Sequence, residues 1–333
     1  MKNLNDLTVV ITGASSGMGL AAAHAFARRG ANVVLAARRR SLLDIAVREC
    51  DSLGGRALAV TADVTDPARM RDLVRAAERE FNRIDVWINN AGMSLWGPFE
   101  NIPLTSQARL VEVNLLGAIN GTFAVLPHFL AHGGRGIIIN NISIGGRIPM
   151  PWAATYSATK YGLAGFTDAL RDELAAHSDI RVCGVYPPFV DTPTNVHSPN
   201  YTGRALRPVP PVVYPERVAE VMVELAVYPR RSVRVGAAHA LAAPYWMAPD
   251  WTGTLVAALG ERFLLRSGPP APHSSGSLFE PVMDKGRTRG GWGEPERARA
   301  KRNLTMVALA GMAGLGMIAL AWPRSRTLDL QER

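Results

Sequence analysis

Seven short apolar runs separated by longer amphipathic stretches constrain the fold of this chain more than any other feature. The runs fall at Thr8–Thr12, Asn32–Ala36, Ala57–Thr61, Val86–Ile88, Ile137–Ile142, Arg181–Val185 and Ser232–Val235. Helical patterns over 17–29, 41–53, 67–82, 105–131, 153–177 and 215–228 lie between them. Runs rich in Val and Ile, without alternating polar positions, suit strands covered on both faces. Helices that carry the chain from one such strand to the next make the strands parallel. A sustained β–α order therefore predicts an α/β fold with a doubly wound parallel sheet of about seven strands.

The pattern supports one domain over residues 1–266. Residues 267–303 change character: they are rich in Pro, Gly and Arg and read as a linker. Residues 304–322 then carry no charge over nineteen positions. At 1.5 Å per residue that length reaches across a bilayer core, so a transmembrane helix is expected there, with a buried tail helix or an oligomer contact as the alternatives. Ala310, Gly311, Gly314 and Gly316 provide the small residues that helix pairs in lipid use. Basic residues from Lys285 to Arg302 precede the stretch, which places the main domain in the cytoplasm. A short polar tail, 323–333, follows. No apolar leader stands at the N-terminus.

The net charge of +9 is not gathered into a basic face with interleaved aromatics, so no nucleic-acid partner is expected. Two cysteines, Cys50 and Cys183, build neither a disulfide framework nor a Cys-rich metal site, and no metal is expected.

The first strand runs into Thr12-Gly-Ala-Ser-Ser-Gly-Met-Gly19. A glycine-rich turn that opens a helix lets backbone N–H groups approach a pyrophosphate. With its TGxxxGxG spacing, this loop resembles that of the short-chain dehydrogenase/reductase family, and the resemblance extends over about residues 5–240. It implies a Rossmann fold, and a cofactor held by Gly13, Ser15, Ser16, Gly17, Met18 and Gly19. Asp63 and Val64, after the third strand, match the family's adenine contact, although Asp63 also suits a helix cap, in competition with Asp66. Asn90, Ala91 and Gly92, within the Asn-Asn-Ala-Gly that closes the fourth strand, match as well. Val190 and Thr192 match its nicotinamide contacts. At the end of the second strand, no carboxylate stands near Ala37 for a ribose 2′-hydroxyl. Arg38 stands next to it instead, and a guanidinium suits a 2′-phosphate, which predicts NADP(H).

Tyr156 and Lys160 are four residues apart on one predicted helix, so both face one way. An ammonium near a phenol favours the phenolate. Alone the pair is a common helix-surface spacing. Ser143 ends the fifth strand thirteen residues earlier, and Asn114 interrupts an apolar helix. The family resemblance implies that Asn114, Ser143, Tyr156 and Lys160 form the catalytic set. By the same resemblance Tyr156 is the acid/base, Ser143 bonds the substrate oxygen, Lys160 binds the nicotinamide ribose and Asn114 holds a relay water.

One departure is Pro187-Pro188, where the family usually reads Pro-Gly. It leaves the substrate loop from 193 to 213 open. Ser94, Leu95, Trp96, Met150, Trp152 and Phe189 are candidates for the pocket border, with loop packing or a dimer contact as alternatives for the tryptophans. The expected activity is hydride transfer between NADP(H) and a hydrophobic ketone or aldehyde and its alcohol, by a membrane-associated homodimer or homotetramer. The alternative is an NADP(H)-binding interaction protein with little turnover.

Overall fold

The seven expected strands form one parallel sheet in the order β3-β2-β1-β4-β5-β6-β7. They span Thr8–Thr12 (β1), Asn32–Ala37 (β2), Arg56–Thr61 (β3), Val86–Asn89 (β4), Gly136–Asn141 (β5), Ile180–Tyr186 (β6) and Ser232–Arg234 (β7). The structure is a computed structural model, and it describes residues 4–5, 7–209, 211–266, 268–282 and 286–292. The strand order reverses direction between β1 and β4. In open α/β sheets the crevice at that point, beyond the carboxyl ends of the strands, is where ligands bind.

Helices cover both faces. Gly17–Ala27 (α1), Arg40–Ser52 (α2) and Pro215–Val227 (α8) pack on one face, over a core that includes Val9, Ile11, Phe26 and Leu35. Pro67–Phe81 (α3), Leu104–Val111 (α4), Gly117–Ala131 (α5) and Ala154–Glu173 (α6) belong to the other face, whose core includes Val10, Trp87, Phe129 and Ile138. Short helices follow at Thr194–His197 (α7), Ala242–Met247 (α9) and Pro249–Gly260 (α10). The periodicity of residues 236–266 does not announce the last two.

Buried amides tie the second layer to the sheet. Asn89 Nδ2 donates to Thr122 Oγ1 of α5 at 3.0 Å and to Asn140 Oδ1 at 2.8 Å. Asn140 Nδ2 donates to Thr167 Oγ1 of α6 at 2.9 Å. Such groups are retained in a core only when bonded, and here they fix the seating of the helix that carries Tyr156 and Lys160.

The expected helix 105–131 is interrupted. Residues Glu112–Leu116 form a π-helical turn between α4 and α5, and Asn114 lies within it. Inserted turns of this kind recur at functional sites. Among the described residues, Leu104–Ala131 is the one helix long and apolar enough to cross a membrane. Much of it is buried against α3, α6 and the sheet, which is the environment of a core helix. The stretch 304–322 lies outside the described residues.

The segment after 267 reads as a linker, yet its described part lies along the domain. Asn200 and Ser274 form an antiparallel bridge, as do Arg204 and Pro270. Leu278 is fully buried against Leu95, Ile102, Leu110 and Tyr201.

Candidate active site

The switch between β1 and β4 opens into two adjoining cavities. The first is lined by Gly13, Ser15, Ser16, Met18, Arg38 and Asp63, with Val64, Asn90, Ala91 and Gly92 at its floor. The second holds Ser143, Tyr156, Lys160, Val190 and Thr192. Met18, Asn90, Gly92, Met93 and Thr194 line both, so the two make one trough from Arg38 to Tyr156.

The floor is set by Thr12. Its hydroxyl oxygen accepts from the N–H groups of Asn90 and Ala91 at 3.0 and 3.1 Å, which locks the turn after β4 to the end of β1. Asn90 Nδ2 reaches back to the Thr12 carbonyl at 2.9 Å, and Asn90 Oδ1 accepts from Asn141 Nδ2 at 2.9 Å. At Gly19 a Cβ would sit 2.3 Å from the Gly13 carbonyl oxygen, so only glycine permits this turn. At Gly92 a Cβ would meet Asn114 Oδ1 at 3.1 Å and Lys160 Nζ at 3.7 Å, which places all three together.

Asp63 and Asp66 take different roles. Asp66 caps α3, accepting from the N–H of Ala68 at 2.8 Å and from that of Arg69. Asp63 is thereby left to the cavity wall. Burial raises its carboxyl, but bonds from Thr65 and the charges of Arg109 and Arg38 outweigh this and hold it below the usual carboxylate range. Arg109 Nη2 donates to it at 2.9 Å. Nothing in the sequence pattern marks Arg109, which lies on α4 and is brought there by the fold.

At the inner end, Ser143 follows β5 with φ +149° and ψ 164°, a region that is essentially restricted to glycine. A non-glycine residue there costs on the order of 1–3 kcal/mol and clusters at functional sites. The Ser143 oxygen accepts from Gly145 N–H at 3.1 Å, and Ser143 and Tyr156 line the same cavity. Lys160 is buried, with Nζ donating to the Asn141 carbonyl at 3.1 Å and lying 5.8 Å from the Tyr156 ring centre. Asn114 donates to the Met93 carbonyl at 2.8 Å and accepts from Met93 N–H at 3.0 Å, and its Nδ2 approaches Thr159 Oγ1.

The electrostatics differ from the simple expectation of an ammonium lowering a phenol. Burial raises the Tyr156 phenol, and the bond from Ser143 offsets it only in part. Burial also pushes the Lys160 ammonium down from 10.5 to about 8. Burial is the largest cause of both shifts, which marks the trough end as screened from water.

The expected pocket border is met in part. Ser94, Trp96, Met150 and Phe189 line the inner cavity with Pro188. Trp96 and Phe189 stack at 6.0 Å between ring centres. Leu95 turns instead into the cluster with Leu278, and Trp152, at φ +66°, packs behind Trp96 rather than lining the cavity. Their places follow from packing across sequence-distant loops, which no local pattern encodes. Cys50 and Cys183 are buried free thiols, pushed up to about 12 and about 11 by burial.

The profile of the short chain dehydrogenase family matches residues 7–201, which includes the glycine-rich loop and all four candidate catalytic side chains. The chain belongs to that family. It is an oxidoreductase acting on CH–OH groups, and this family's site takes a nucleotide cofactor. The trough of this short-chain dehydrogenase suits a nucleotide cofactor, because it passes the N-terminus of α1 and continues to the Tyr156 pocket. The chain is 30% identical over 332 residues to an uncharacterized oxidoreductase of Bacillus subtilis, YxnA, covering 98% of this chain and 92% of that one. It is 38% identical over 196 residues to 3beta-hydroxysteroid dehydrogenase 1 of Eggerthella lenta, covering 58% of this chain and 74% of that one. Among solved structures it resembles 3-ketoacyl-(acyl-carrier-protein) reductase of Brucella melitensis complexed with NADH. That match has a TM-score of 0.60 and 28% identity, and covers 69% of this chain and 96% of that one.

Proposed function

We propose that this protein is an NADP(H)-dependent oxidoreductase that interconverts a hydrophobic ketone or aldehyde and its alcohol, with Tyr156 as the general acid/base. The observation that carries the reading is the gathering of Ser143, Tyr156 and buried Lys160 in one cavity, at the end of a trough that begins at Arg38.

Gly13 to Gly19 and Arg38 would hold the phosphates, Asp63 and Val64 the adenine, and Val190 and Thr192 the nicotinamide. When bound, the nicotinamide supplies or accepts a hydride. The chain's own residues handle the proton. The raised phenol of Tyr156 keeps its proton at neutral pH, so it is set to donate to a carbonyl oxygen during reduction. Ser143 offers a hydroxyl to the same oxygen, where charge develops. Lys160, with its ammonium lowered to about 8, exchanges a proton readily near neutral pH. Asn114 closes the chamber behind it, and Trp96, Met150 and Phe189 exclude water. The NADP(H) preference rests on Arg38 and on the absence of a carboxylate at Ala37.

The apolar border supports a lipophilic substrate, as do the steroid and ketoacyl names of two relatives. A homo-oligomer is supported by exposed Leu104, Leu116 and Phe123 along the α4–α5 helix. Membrane association through 304–322, with the catalytic domain on the cytoplasmic side, is supported by the uncharged nineteen-residue run and by exposed Trp246, Met247 and Trp251 on α9–α10. Oxidation of NADPH across a panel of ketones and aldehydes tests the reaction, and NADPH binding without turnover on any of them would favour an interaction protein. For the anchor, deletion of 304–322 should release the protein from carbonate-washed membranes; a full chain that never sediments with them contradicts it.

A further inference from the structure

The segment 268–282 and 286–292 lies beyond the residues matched by the family profile, and it crosses the trough at the end where a cofactor's adenosine phosphates would sit. Ser277, Pro281 and Val282 are part of the cavity wall. The carbonyls of Ser277, Leu278 and Phe279 all accept from the Arg38 guanidinium, the last at 2.8 Å. The Val282 carbonyl accepts from Arg39 Nη1 at 3.0 Å, while Arg39 Nη2 bonds the Ser15 and Ser16 hydroxyls. Farther on, the Arg287 carbonyl accepts from Gly17 N–H, at the N-terminus of α1, at 2.9 Å. The Asp191 carboxylate accepts from the N–H groups of Gly290 and Trp292 at 3.0 and 2.8 Å, next to Thr192.

These contacts share one chemistry. Guanidinium N–H groups and N–H groups at a helix N-terminus are the donors that bind phosphate oxygens. Here they meet main-chain carbonyl oxygens, which are acceptors with partial negative charge. A phosphate oxygen and a carbonyl oxygen aimed at the same N–H exclude each other, sterically and by repulsion. The contacts are pinned by Leu278, whose side chain is fully buried.

We infer that this strap is an intrachain competitor for the cofactor's phosphates: the Ser277–Val282 stretch must leave Arg38 and Arg39 before a 2′-phosphorylated dinucleotide binds. The inference rests on the reading of Arg38 and the glycine-rich loop as phosphate ligands. It makes the strap a determinant of cofactor choice, since a dinucleotide without the 2′-phosphate has no claim on Arg38. The YxnA alignment, unlike that of the steroid dehydrogenase, runs the length of the extension, so the extra segment is not peculiar to this chain.

The test uses the full-length protein. Hydrogen exchange is followed at the amides of Leu278, Gly290 and Trp292, all hydrogen-bonded in the closed strap, with and without NADPH, while binding is read separately from nicotinamide fluorescence. The strap predicts that these amides exchange faster once NADPH is bound. It also predicts that Leu278→Ala, which removes the pin, tightens NADPH binding by at least about tenfold and NADH binding by much less. NADPH binding that slows these amides, or that weakens in Leu278→Ala, would overturn the strap alone and make it an ordinary wall of the site. Failure of both proteins to bind NADPH would overturn the cofactor reading, and the strap with it.

Discussion

Lys160 is expected to destabilise the fold that needs it, and the size of that effect follows from its surroundings. Its ammonium is buried, no carboxylate among the described residues faces it, and the Asn141 carbonyl accepts from it. Burial moves it from 10.5 to about 8. At about 1.4 kcal/mol per pH unit this is a penalty of about 3 kcal/mol on the folded protein whenever the lysine is charged. The sign is fixed by proton counts. Between pH 8 and 10.5 the unfolded chain holds more protons than the folded one, so this group's contribution to stability improves as pH rises through that window. Below about pH 8 both states are protonated and the full penalty applies.

Lys160→Met keeps most of the volume and removes the charge. It also removes the bond to the Asn141 carbonyl, worth about 1 kcal/mol. The net expectation is a gain of about 2 kcal/mol at pH 7 that fades, or turns into a small loss, by pH 10. Urea unfolding of wild type and variant at both pH values measures it, and turnover should be lost throughout. A variant less stable than wild type at pH 7 would mean instead that the ammonium is held favourably in the fold.

Other outcomes follow from the same geometry. Arg38→Asp replaces the proposed 2′-phosphate ligand with a ribose-hydroxyl acceptor, so the ratio of NADPH to NADH affinity should invert; an unchanged ratio contradicts the assignment. Gly19→Ala forces a Cβ onto the Gly13 carbonyl at 2.3 Å, and backbone there has no room to yield. It should lower stability by at least about 1–3 kcal/mol and abolish cofactor binding; near-wild-type melting and binding would contradict the tight turn.

The sheet was legible because a strand buried on both faces writes itself as a continuous apolar run. All seven runs are strands, with ends displaced by a residue or so. The candidate site was legible where one local stretch carries both geometry and chemistry. The glycine-rich loop, Ser143 at a strand end, and Tyr156 with Lys160 on one helix are of this kind, and the fold brings them into one trough. Contacts between distant segments left no trace in the pattern. Leu278 lies 240 residues from Arg38 and meets it through a carbonyl, which any residue possesses. The π-turn at Asn114 inserts one residue's worth of rotation into a helix whose apolar spacing hides it. The Asp63–Asp66 ambiguity was settled only by which carboxylate reaches the first N–H groups of α3. Trp152 and Leu95 have the composition of a pocket wall, but packing turned them elsewhere.

Whether Tyr156 is the acid/base of an NADP(H)-dependent carbonyl reduction is decided by one comparison. Steady-state NADPH oxidation is measured for wild type and Tyr156→Phe on the best carbonyl of a hydrophobic panel, with NADPH affinity measured alongside. Tyr156→Phe is expected to lose at least about a hundredfold in kcat, with cofactor affinity within about twofold of wild type. Turnover that survives in the phenylalanine variant at close to the wild-type rate would contradict it.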